Sequence, residues 1–110
     1  MKLGLIRCMQ TEDMCPGTMD FKVIKEKKLA FAGVEGEIEI VGLVTCGGCP
    51  GKKAVTRAAE MVKRGADTIA LCSCITKGNP IGFICPHAEQ IKTAIKKKLG
   101  DTITLLDYTH

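Results

Sequence analysis

The sequence predicts an α/β fold: a small three-layer, doubly wound domain on a four-stranded parallel sheet, in the order βαβαβαβ with strand order 2-1-3-4. Three observations carry this expectation. Short runs rich in Ile, Val, Leu and Thr alternate with stretches of helical periodicity. Glycines stand where helices should stop. Strands separated by helices need crossover connections, which make the sheet parallel and put helices on its two faces.

Taken in order, the first strand runs from Leu3 to Cys8 and is followed by a helical stretch from Met19 to Phe31. Ile38 to Cys46 forms the second strand. Pro50 to Arg64 is the second helix, because Ala54, Val55, Ala58, Met61 and Val62 make one apolar stripe and Gly65 ends it. Thr68 to Ser73 is the third strand, Pro86 to Leu99 the third helix, closed by Gly100, and Thr102 to Tyr108 the fourth strand. With 110 residues, 45% hydrophobic and 25% charged, and no linker or repeat, residues 1–110 are expected to form one domain.

The composition also excludes function classes. No apolar run reaches the roughly 18–20 residues of a membrane span, and Met1–Arg7 is charged too early for a secretory signal, so no membrane partner is expected. Aromatic residues make up 4% with no Trp, which removes the stacking platform of a single-strand nucleic-acid binder. The net charge of +4 owes much to Lys92, Lys96, Lys97 and Lys98, which read as a solvated helix face, so no nucleic-acid partner is expected either. Seven cysteines is an odd number that cannot pair fully within one chain, and such density in a reducing compartment points to metal or redox chemistry; a cytoplasmic location is expected.

The cysteines fall in a pattern on this map. Cys8 closes the first strand, Cys46 the second, and Cys72 with Cys74 the third, whereas Cys15, Cys49 and Cys85 each precede a proline at a helix start. All the strand-to-helix connections of a parallel sheet lie along its carboxyl edge, where such folds bind ligands. His87 follows Cys85 on that rim, and His110 is expected at the end of the fourth strand. The candidate metal ligands are therefore Cys8, Cys15, Cys46, Cys49, Cys74, Cys85, His87 and His110, with Cys72 read as a packing residue of a buried strand. Within Cys46-Gly47-Gly48-Cys49-Pro50-Gly51-Lys52-Lys53, two thiols two residues apart can grip one ion or close a disulfide ring. The glycines permit a sharp turn, the helix start favours nearby negative charge, and Lys52, Lys53 and Arg57 would offset it.

Cys46-Gly47-Gly48-Cys49-Pro50-Gly51-Lys52, with Arg7-Cys8, Cys15-Pro16-Gly17, Ser73-Cys74-Ile75, Cys85-Pro86-His87 and Thr109-His110, resembles the CGGC-domain family over nearly the whole chain. The resemblance implies metal binding, an activity ascribed to that family from its cysteines and histidines, and brings no substrate with it.

Two functions compete most closely. The leading expectation is a transition-metal site with the metal ion as partner: zinc or another single ion, slightly ahead of iron in an iron–sulfur cluster, because thiolate and imidazole select such metals and no run matches ferredoxin spacing. Eight candidates exceed the four that a structural zinc takes, so two ions, a cluster or a further role would use the surplus. The alternative is a thiol–disulfide oxidoreductase using Cys46 and Cys49 in a βCxxCα turn, although the sequence reveals no cis-proline or thioredoxin strand order. Anion chemistry with Cys46 as nucleophile is weaker, since Lys52 stands where phosphatases place an arginine, and lysine cannot grip an oxyanion bidentately.

Overall fold

A computed structural model describes residues 1–110. Its sheet has four parallel strands, β1 (Lys2–Arg7), β2 (Glu39–Thr45), β3 (Thr68–Leu71) and β4 (Thr104–Leu106), in the order β2-β1-β3-β4. The helices are α1 (Thr18–Glu26), α2 (Lys52–Lys63), α3 (Ser73–Thr76) and α4 (Ala88–Leu99). Both the α/β class and the expected strand order are therefore found.

The central strands are the apolar ones. β3 is buried along its whole length and β1 at Leu3, Gly4, Leu5 and Ile6, whereas the edge strand β2 is half exposed. Helices α2 and α4 pack side by side on one face. Right-handed crossovers then put α1 on the other. Met61 of α2 seats itself in a dimple made by two glycines in register, Gly4 of β1 and Gly42 of β2. A Cβ at Gly4 would stand 2.8 Å from the Met61 sulfur, and one at Gly42 3.1 Å, so only glycine lets the helix come this close. The core is one cluster of 19 residues, to which Cys46, Cys72 and Cys74 belong.

Several boundaries differ from expectation. α2 and α4 begin at Lys52 and Ala88, not at Pro50 and Pro86, so the Cys-Pro steps lie in the loops ahead of the helices. β3 ends at Leu71, and α3 follows at once, too short for its periodicity to be read from sequence. Cys72 therefore caps a helix instead of ending a strand, and Cys74 lies inside that helix. β4 is confined to Thr104–Leu106, so His110 lies beyond it. The Cys49–Pro50 and Asn79–Pro80 peptides are cis. Lys96, Lys97 and Lys98 are exposed, and Lys92 pairs with Glu89 at 3.2 Å and Asp107 at 3.5 Å, a solvated helix face. No helix is long and apolar enough to cross a membrane.

Candidate metal centre

The loops that leave the carboxyl ends of β1, β2 and β3 carry the cysteines. After β2 the chain turns through Cys46–Gly51 into α2. Arg57 of α2 reaches back and donates to the Thr45 carbonyl at 3.1 Å and to its hydroxyl at 2.9 Å, fixing the strand end that delivers Cys46. Gly51 caps α2 with φ of +88°, and its Cα faces Ile91 of α4 so closely that a Cβ there would lie 2.4 Å from Cδ1. This contact ties the cysteine loop to the second helix of the same face.

Cys8, Cys46, Cys49, Cys85 and His87 line one small cavity of about 20 Å³. Ile75 and Ile91 contribute its apolar wall. The four thiols differ in access: Cys46 is 7% exposed, Cys8 and Cys85 are half-buried, and Cys49 is open to solvent. Burial pushes the Cys85 thiol above its ordinary range, with a hydrogen bond from the His87 amide acting the other way.

Cys15, Cys74 and His110 gather elsewhere, on a neighbouring pocket of about 160 Å³ that Asp20 also lines. The two groups meet at one contact, where the Cys8 amide donates to the Cys74 sulfur at 3.1 Å. Burial raises the Cys74 thiol, while that amide and the Thr11 hydroxyl oppose the rise. Cys72 faces neither cavity; at 1% exposure, its thiol is pushed far up by burial and by the Asp20 carboxylate.

Sequence reasoning missed the polar cluster that holds His110. The Ser73 hydroxyl oxygen accepts the amides of Thr109 at 3.1 Å and His110 at 2.9 Å, and the Thr109 hydroxyl accepts the Ser73 amide at 3.1 Å. Thr109 also donates to the carboxylate of Asp20, which is 4% exposed and lies 3.7 Å from His110 Nε2. The one signal in the sequence was an acid in the first turn of a helix, which ordinarily marks an exposed residue favoured by the dipole.

All seven cysteines are free. No three Cys, His, Asp or Glu side chains stand close enough, as oriented, to hold an ion between them. In kind, the donors around the 20 Å³ cavity fit a soft transition ion: sulfur and imidazole suit zinc, iron and copper and disfavour magnesium or calcium.

The model of the CGGC domain matches residues 2–110. The chain belongs to the CGGC-domain family. In this CGGC domain the motif Cys46–Cys49 is the turn between β2 and α2 at the cavity just described. An uncharacterized protein of Methanocaldococcus jannaschii is 36% identical over 112 residues, covering 96% of this chain and 81% of the relative. No solved structure matches the chain significantly.

Proposed function

We propose that this chain binds one transition-metal ion, zinc foremost, through Cys8, Cys46, Cys49 and Cys85, with His87 as the donor that can replace one of them. The observation that carries this reading is the shared cavity: five soft donors from three separate loops line a void of about 20 Å³. That is room for a single ion or water, since a water needs roughly 10–15 Å³ by this kind of measure. An iron–sulfur cluster needs the same number of cysteines but more space, so it ranks second. Cys8, Cys46, Cys49 and Cys85 would hold the ion as thiolates, after side-chain rotation from their present orientations. When bound, such an ion would supply a cross-link between the three loops, and it would stabilise the folded state by mass action. Cys15, Cys74 and His110, on the other pocket, lie outside this set. The free thiols suit a reducing compartment such as the cytoplasm.

A second reading rests on the unequal exposure of the motif. Cys49 is open to solvent and Cys46 is 7% exposed, the asymmetry of an attacking and a resolving thiol in dithiol exchange. Elemental analysis and a visible spectrum of protein purified without oxygen separate the two. Stoichiometric zinc in a colourless protein supports the first reading, and iron with sulfide supports the cluster. Metal-free protein that exchanges its Cys46–Cys49 dithiol with a small disulfide supports the second and overturns the first.

A further inference from the structure

The contact between the two cysteine groups joins a candidate metal ligand to a thiol outside the metal set. The Cys8 amide donates to the Cys74 sulfur at 3.1 Å, and Cys8 lines the cavity of the CGGC turn whereas Cys74 does not. The fold holds both residues at this spacing. β1 and β3 stay in register as far as Ile6 and Leu71, and the Cys72 amide donates to the Ile6 carbonyl at 2.9 Å where α3 begins. Beyond β1, the Thr11 hydroxyl donates to the Cys8 carbonyl at 3.0 Å.

The spacing decides what the two thiols can do together. An N–Cα bond spans about 1.46 Å, so the Cys8 Cα stands no more than about 4.6 Å from the Cys74 sulfur. A cysteine sulfur swings at about 2.8 Å from its own Cα and a disulfide bond is about 2.05 Å long, so a Cα within about 4.8 Å leaves the two sulfurs in bonding reach. Cys8 is half-buried, with access for a small oxidant, whereas Cys74 is 5% exposed and shielded from bulky reagents.

We infer that Cys8 and Cys74 are a disulfide-forming pair that acts as a redox switch on the metal centre, with hydrogen peroxide as the oxidant. The pair stands on its own geometry; its effect on the ion rests on the metal-binding reading above. The Cys8 thiolate attacks one peroxide oxygen, the O–O bond breaks and hydroxide leaves, which makes Cys8 a sulfenic acid. Cys74 gives its proton to that hydroxide and attacks the sulfenic sulfur. The S–O bond breaks, and the second hydroxide takes up the proton that Cys8 gave up as it became a thiolate. In sum the two thiols lose two electrons and two protons, and the peroxide becomes two waters. A sulfur bonded to Cys74 is no longer a thiolate donor, so the ion loses one of its four cysteines. A dithiol reductant reverses the step by exchange.

The first test treats the full, metal-free, reduced chain with one equivalent of hydrogen peroxide, blocks the remaining thiols and sequences linked peptides by tandem mass spectrometry. The expected product is a link within one chain between Cys8 and Cys74, retained in Cys15→Ser and Cys72→Ala and lost in Cys74→Ser. A link between Cys46 and Cys49 in its place, or no link, overturns the pair. The second test loads the chain with zinc and follows release into a coloured chelator. Wild type should release zinc on peroxide and recover it on reduction. Cys74→Ser keeps an acceptor for the Cys8 amide and every proposed ligand, and should retain its zinc under the same dose. Equal release from Cys74→Ser overturns the switch. A wild-type chain that takes up no zinc overturns the metal-binding reading and the switch with it, while the linked peptide still decides the pair.

Discussion

Replacing Gly51 by Ala tests how the cysteine loop is held. The residue has φ of +88°, where an L side chain costs about 1–2 kcal/mol. The added Cβ would also lie 2.4 Å from Ile91 Cδ1 and 2.7 Å from Cγ1. Carbon atoms settle at about 3.5–4.0 Å, so loop and helix must part by about 1 Å. Ile91 is 3% exposed and has nowhere to retreat, and overpacking of this kind costs about 1–3 kcal/mol. The sum is about 2–5 kcal/mol, or a fall in Tm of about 10–25 °C for a domain of this size. Gly65→Ala is the control: its φ is +115°, but a Cβ there meets nothing within 4 Å, so it carries the backbone strain alone, about 5–10 °C. Thermal unfolding of both variants by circular dichroism, without metal and with reductant, makes the comparison. Equal losses would refute the close approach of the Cys46–Gly51 loop to α4.

Ser73→Ala removes the shared acceptor of two amides, one buried and one partly buried, and should cost about 2–4 kcal/mol in denaturant unfolding. Stability should also fall in alkali. The folded state raises the thiols of Cys72 and Cys74, so it keeps their protons after the unfolded chain has lost them. This contribution is complete below the ordinary thiol value of about 8.5 and is lost as pH rises above it. Melting of the metal-free, reduced protein from pH 7 to pH 10.5 checks this, and Cys72→Ala should flatten the slope. Cys49→Ser should lower metal retention with little loss of stability, because Cys49 is exposed. Cys72→Ser should do the reverse, losing about 1–3 kcal/mol by burying a hydroxyl while keeping the metal.

The topology was legible because alternation of strand and helix leaves few ways to wind a parallel sheet, and the gathering of cysteines at one edge follows from that winding. Boundaries were less legible. Gly51, with its positive φ, delays α2 to Lys52, and a four-residue helix such as α3 has no period to detect. The division of the cysteines between two pockets was hidden for another reason. Sequence places Cys8 and Cys15 on one connection, but only the packing of that loop shows Cys8 lining the cavity of the CGGC turn while Cys15 lines the pocket of Asp20, Cys74 and His110. Asp20 was invisible because nothing local distinguishes an acid buried by a residue 89 positions away from one that is solvated.

The most direct measurement of the central claim is X-ray absorption at the edge of the metal carried by the anaerobically purified protein. Binding at the cavity of Cys8, Cys46, Cys49, Cys85 and His87 predicts a coordination sphere dominated by sulfur, at about 2.3 Å for zinc, with at most one nitrogen. A sphere of oxygen and nitrogen alone, or a protein that carries no metal, would contradict it.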